Sequence, residues 1–399
     1  MNSRAPSAVD LFCGCGGLSA GLRMAGFRVL AGVDLEPRYM ATFAHNFPDA
    51  QSLPLDLSKT TPEEFMSRLG IVPGELTLLA GGPPCQGFSK NVPRKQRFLD
   101  SANNKLVKTF LDYCEGLKPK LILMENVAEM KNGFAQTYTA EVLSRLKEEG
   151  YTVTPGVLNA ADFGIPQRRR RAFFIASRDG IKLEFPKPTH APYSDESFLF
   201  SLPHRVSVWD AIGDLPSLKH GEGKPACEYA SEPFSDFQRL MRNGSKTVSN
   251  HIARRLQPKQ YERLASLLPG QGLKDLPKHL RPKSGYSGAY ARLTKDMIAP
   301  TITRWVFHPG SGRFGHPVDF RVITIREAAR IQGFPDSFEF VGTYTQQAGQ
   351  VGNAVPPLLA ERIAETLLQH VQLSSRVRSS MNFSKPILSS AAGNLKVTA

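Results

Sequence analysis

The chain has 399 residues, 41% of them hydrophobic and 22% charged, which excludes a low-complexity or collagen-like polymer and suits a large and a small globular domain. No stretch approaches the roughly 20 apolar residues of a membrane span, and Met1 to Pro6 lacks an apolar signal core, so neither insertion nor secretion is expected. The net charge of +14 concentrates between Arg239 and Asp296, where 13 Lys or Arg face three acids; such a patch points to a polyanion, the bland alternative being a solvated basic face.

Short apolar runs at Ala8 to Phe12, Val29 to Val33, Leu76 to Ala80 and Leu121 to Met124 read as buried strands, followed by Thr152 to Leu158 and Ala172 to Ala176. Helical patterns fall between them at Leu18 to Ala25, Leu106 to Leu117 and Thr139 to Glu149. This alternation implies an α/β fold with a mostly parallel, doubly wound sheet, whose ligands bind beyond the carboxyl ends of the strands. From about Phe185 to Pro300 the sequence turns rich in Pro, Gly and basic residues without periodicity, as a smaller irregular domain would be. Pattern resumes near Thr301, with helices expected over Ile325 to Gln332 and Pro357 to Gln369. From Ser374 onward the Ser-rich chain is expected to be a disordered tail. The division is therefore 1–184 plus 301–373, 185–300, and 374–399.

Phe12-Cys13-Gly14-Cys15-Gly16-Gly17 follows the first strand and opens a helix at Leu18, which allows close approach of a ligand to a helix N-terminus. Asp34 ends the second strand about 20 residues on, where an acid can hold ribose hydroxyls. Alone, this signal fits a dinucleotide as well as any other adenosine ligand. Five cysteines, with only Cys13 and Cys15 close and no flanking histidines, fit a reducing cytoplasm; neither disulfides nor a metal is expected.

Gly81-Gly82-Pro83-Pro84-Cys85-Gln86-Gly87-Phe88-Ser89 sets a cysteine on a stiff turn that another molecule can approach, and a thiolate is a strong nucleophile. Glu125-Asn126-Val127 ends the fourth strand with an acid able to stabilise charge on an attacked ring. Gln167-Arg168-Arg169-Arg170-Arg171 leads into a strand, so Arg169 and Arg171 share a side while Arg168 and Arg170 read as phosphate contacts or surface.

In order and spacing these segments resemble the DNA (cytosine-5)-methyltransferase family, of the bacterial restriction–modification type. The likeness extends from about Ala8 to His370 and takes in Arg321 to Pro335 and Gly352-Asn353-Ala354-Val355-Pro356-Pro357. It implies a Rossmann-like S-adenosylmethionine-dependent fold with a target-recognition domain over 185–300. It makes Cys85 the nucleophile on carbon 6 of a flipped-out cytosine, Gln86 its polar neighbour, and Glu125 the acid holding the ring nitrogen and exocyclic amine. Asn126 would brace the cysteine loop, Arg169 would contact the cytosine oxygen, and Arg171 would sit in the catalytic pocket. S-adenosyl-L-methionine would be held by Phe12, Gly14, Gly16, Gly17, Leu18, Asp34, Leu35, Asp56, Leu57, Pro84, Leu106, Asn353 and Val355. In this family Glu is commoner at the Asp34 position, and a small apolar residue at the Cys15 position. The implied partner is duplex DNA, bound by a monomer, with a cognate restriction endonuclease that shares the target without contact. Arg254, Arg255, Arg281 and Arg292 are the expected base readers. The rival readings are a transfer RNA methyltransferase of the same fold, which would lack the long basic insert, and an inactive DNA-binding regulator, against which intact Cys85, Glu125 and Arg169 speak.

Overall fold

The computed structural model describes residues 5–84, 105–132, 136–191, 202–283 and 288–382. The first half alternates as the apolar runs require: β1 (Ser7–Leu11), α1 (Gly17–Met24), β2 (Arg28–Asp34), α2 (Pro37–Asn46), β3 (Gln51–Pro54), α3 (Pro62–Leu69) and β4 (Leu78–Gly81). It continues with α4 (Lys105–Leu117), β5 (Leu121–Val127), α5 (Glu129–Asn132), α6 (Gln136–Glu148), β6 (Thr152–Asn159) and β7 (Arg170–Ser177). These strands form one sheet in the order β3-β2-β1-β4-β5-β7-β6. Neighbours from β3 to β5 pair in parallel, whereas β7 runs antiparallel to both β5 and β6. The short link from Asn159 to Arg170 leaves no room for a crossover helix, so it can only reverse the chain.

Successive side chains along each strand enter opposite layers. Leu78, Leu121, Leu123, Phe173 and Ile175 pack with α1 and the late helices, while Leu79, Ile122, Met124, Ala172 and Phe174 pack with α3, α4 and α6. Burial on both faces explains why these strands read as unbroken apolar runs. The chain leaves β1 toward β2 on one side and reaches β4 on the other, so a crevice opens where Leu11 pairs with Gly81.

Beyond β7 come α7 (Val208–Ile212), β8 (Ala226–Glu228), α8 (Asp236–Arg242), β9 (Thr247–Ser249) and α9 (Pro258–Ala265), then α10 (Ile325–Ile331), α11 (Tyr344–Asn353) and α12 (Pro357–Asn382). Residues Val208, Ile212, Phe237 and Val248 join the same core cluster as α10 and α12, whereas Leu267, Leu276, Ala289 and Tyr290 form a small cluster of their own. Helix α10 clasps this region through arginines that are fully buried. Arg326 donates to Ser249 O at 2.9 Å, Arg330 to Ala211 O at 2.9 Å and to both oxygens of Asp336, and Arg321 pairs Glu327 with two bonds. Helix α12 continues to Asn382, past Ser374 where a disordered tail was expected. Extending a helix already nucleated on a packed stem is cheap even for serines. Residues 383–399 lie outside the described residues.

Candidate active site

The turn from β1 to α1 is held in conformations that side chains avoid: Phe12, Gly14 and Gly16 have φ of 58°, 56° and 97°. A Cβ on Gly16 would fall 2.6 Å from Phe47, and one on Gly17 would fall 2.5 Å from Val355 O, so glycine lets α1 seat against its neighbours. Asp34 clamps the turn: one carboxylate oxygen accepts from the Gly14 amide at 3.0 Å, the other from the Glu36 amide at 2.9 Å. Burial raises its pKa, and those two amides oppose the shift.

A cavity of about 400 Å³ opens at the carboxyl ends of β1, β4 and β5. Of the residues expected to hold a cofactor, it brings together Phe12, Gly14, Leu18, Asp34, Pro84, Asn353 and Val355. Gly16, Gly17, Leu35, Asp56, Leu57 and Leu106 do not line it. The first two act from behind, as packing. Leu35 is 65% exposed outside it, Leu57 is buried in the opposite core layer, and Asp56 accepts from the Ser58 amide and hydroxyl while pairing with Lys59. Leu106 sits half-buried at the start of α4.

The same cavity is lined by Glu125, Asn126, Arg169 and Arg171. Glu125 ends β5 with a side chain only 13% exposed, and its Oε1 pairs with Arg171 Nε at 2.9 Å. Burial pushes its carboxyl pKa upward, with Arg171 and then Arg169 pulling it back. A Cβ on Gly82 would lie 3.2 Å from Glu125 Oε2, so the Gly-Gly-Pro-Pro turn passes directly over the acid. Asn126 Nδ2 donates to Pro83 O at 3.1 Å, tying that turn to β5, while Gly82 N donates to Leu11 O at 3.2 Å. Cys85 and Gln86, which follow the turn, lie outside the described residues.

The two arginines line the cavity in different ways. Arg169 is 2% exposed, and its Nη atoms donate to Ile302 O, Gly352 O and Ala354 O at 3.1, 3.2 and 2.9 Å. It braces the late segments behind the cavity, and the arginine that reaches the acid is Arg171. The β5–β7 register decides this, because Arg171 stands opposite Val127 while Arg169 lies beyond the end of the strand. Among the expected base readers, Arg292 is buried and its guanidinium donates to the carbonyls of His316, Leu267 and Val318. Arg281 donates to the Leu276 and Lys274 carbonyls, and Arg254 to Phe307 O; Arg255 is exposed on a groove with His220 and Tyr261.

Sequence reasoning missed Asp10, Tyr39 and Gln350, which also line the cavity. Asp10 is fully buried, with Oδ2 accepting from Ser19 Oγ at 2.6 Å and Oδ1 without a partner. Desolvation pushes its pKa up to about 7 against the Ser19 hydrogen bonds. An acid inside an apolar strand was the available signal. Tyr39 OH accepts from Asn353 Nδ2 at 3.3 Å, and Gln350 O accepts from Cys15 Sγ, so both belong to the wall where α2 meets α11.

A mainly parallel sheet with a glycine-turn cavity at its switch point, and an acid–arginine pair beside a proline-stiffened turn, define a Rossmann-like methyltransferase. Residues 7–369 match the C-5 cytosine-specific DNA methylase model, and the chain belongs to that family. Its enzyme class is DNA (cytosine-5)-methyltransferase. It is 32% identical to type II methyltransferase M.AgeI of Thalassovita gelatinovora, over 90% of this chain and 98% of the relative. It is 36% identical to type II methyltransferase M1.HphI of Haemophilus parahaemolyticus, over 90% of this chain and 86% of that protein. A prophage-encoded candidate DNA modification methyltransferase of E. coli superposes with a TM-score of 0.73 at 28% identity, over 92% of this chain and all of that one.

Proposed function

We propose that this protein acts as a monomer on duplex DNA, methylating carbon 5 of one cytosine within a specific sequence, and that the target is a restriction site shared with a cognate endonuclease. The observation that carries the proposal is the Glu125–Arg171 pair, 2.9 Å apart, beneath the turn that leads into Cys85. Target choice belongs, on this reading, to segment 185–300, whose basic window supplies salt-sensitive phosphate affinity.

The cavity suits S-adenosylmethionine: the Gly14 turn and Asp34 would take its nucleoside end, and the unpartnered Asp10 oxygen offers an acceptor to its polar groups. Bound there, it supplies an electrophilic methyl group. The remaining steps fall to this chain. A stacked cytosine cannot reach the cavity, so the base is extruded, at a cost of about a few kcal/mol. The Cys85 thiolate adds to carbon 6, and electron density moves to carbon 5. Glu125, with a raised pKa, presents a proton to ring nitrogen 3 and accepts from the exocyclic amine. Arg171 anchors Glu125 and would donate to the carbonyl oxygen of the cytosine, the role sequence reasoning had given to Arg169. Asn126 fixes the Pro83 carbonyl and with it the approach of Cys85. After carbon 5 gains the methyl group it loses its proton to a base, and Cys85 leaves.

Expression in a host without DNA methylation, followed by genome-wide mapping of 5-methylcytosine, tests this. Marks at one recurring sequence are expected, and none with Cys85→Ser. Scattered marks, or marks that survive that substitution, would overturn the proposal.

A further inference from the structure

The segment that closes the cavity from behind carries an exposed aromatic ring between cations. Ile302 O accepts from Arg169, and a Cβ on the cavity residue Gly352 would fall 2.2 Å from Arg304 N, so this backbone lies against the cavity wall. The chain then turns tightly. Val306 N donates to Thr303 O at 3.0 Å, His308 N to Trp305 O at 2.9 Å, and Ser311 Oγ to the same oxygen at 2.6 Å. Trp305 stands out from this turn 48% exposed, an unusual cost for a large ring. It packs on Phe307, which is only 7% exposed, at a centroid distance of 5.7 Å. The Arg304 guanidinium sits 4.9 Å from the Trp305 ring, and that of Arg254 sits 4.6 Å from Phe307. The order is cation, ring, ring, cation, on a hydrogen-bonded turn whose backbone lies against the cavity residue Gly352.

Aromatic rings flanked by guanidinium groups suit a nucleic-acid strand whose bases are partly unstacked, because bases stack on the ring while the cations meet phosphates. Extruding a cytosine creates such a strand beside the cavity. We propose that Trp305, with Arg304 and Arg254, is a positioning platform that holds the DNA strand from which the target base is extruded. This rests on the DNA-methylation reading above. It gives Arg254 a backbone-holding role in place of base reading.

The chain has two tryptophans, Trp209 and Trp305, so fluorescence can isolate the platform. Sheared genomic DNA from a methylation-free host should quench tryptophan emission in the wild-type protein, and Trp305→Phe should abolish most of that quench. Methyl transfer to the same DNA should fall about tenfold in Trp305→Ala, with Trp305→Phe recovering most of the loss. Arg304→Ala should flatten the salt dependence of DNA binding by about one unit of log–log slope. An unchanged quench in Trp305→Phe, or wild-type methylation by Trp305→Ala, overturns the platform. A Trp305-dependent quench without any 5-methylcytosine formed by the wild-type protein would instead sink the activity and leave the platform standing.

Discussion

Buried charge is handled in opposite ways at the α10 clasp and at the cavity. In the clasp, Arg321, Arg326 and Arg330 are all fully buried, and Arg330 alone meets Asp214, Asp336 and the Ala211 carbonyl. The neighbouring acids respond as paired carboxylates should: despite burial, Arg330 holds Asp336 below the usual range, and Arg321 does the same for Glu327. At the cavity the same residue types keep unused valence. Asp10 Oδ1 and Arg169 Nε are buried without partners, and burial drives the Asp10 and Glu125 pKa values upward. A closed network of charges fixes how two regions sit together, whereas an open one leaves groups ready for a ligand or a proton.

The contrast can be broken at either end. Substituting Glu125→Gln should lower methyl transfer about 10²–10⁴-fold and shift the urea midpoint less than loss of a clasp arginine does, because the amide oxygen can still accept from Arg171 while the proton donor is gone. A large loss of stability instead would place Glu125 with the clasp. Arg330→Met should do the reverse, destabilising the fold by about 3 kcal/mol in urea titration, because buried Asp214 and Asp336 lose the partner they share and keep only Arg242, Arg326 and Tyr229. A midpoint equal to wild type would show that the clasp does not bear the load assigned to it.

Asp10→Asn sharpens the comparison through pH. In the folded state Asp10 titrates near 7 rather than 3.8, so the folded protein binds the proton more tightly. Stability is therefore lost as pH rises from about 4 to 7, at most on the order of 4 kcal/mol. The ligand-free Asn variant should exceed wild type in melting temperature at pH 8, with the gap narrowing toward pH 5. A pH-independent gap would mean Asp10 does not carry this penalty. Smallest of all, Leu35→Ala should leave the S-adenosylmethionine KM within about twofold of wild type, because Leu35 stands exposed outside the cavity lining. A rise in KM of about fivefold would return Leu35 to the cofactor site.

Much of the sheet could be read in advance because burial on both faces imposes uninterrupted apolar runs, and each predicted run lies on an observed strand. The antiparallel placement of β7 between β5 and β6 was less accessible, since periodicity carries no strand direction and only the short link hints at it. Alternation correctly put Arg169 and Arg171 on one side, but could not say which of them meets Glu125. Asp10 stayed hidden among the apolar residues of β1. The α10 arginines, exposed by any compositional rule, turned out to be interior.

What the residues alone determined is the chemistry on offer and its order along the chain: a glycine turn, a proline-stiffened cysteine, an acid, paired arginines and a basic window. These depend on local backbone freedom and side-chain type, which sequence states directly. Which arginine reaches the acid, which carboxylate lacks a partner, and which aromatic ring stays exposed were decided by strand register and by packing between segments more than a hundred residues apart. Such relations exist only once the chain has closed on itself.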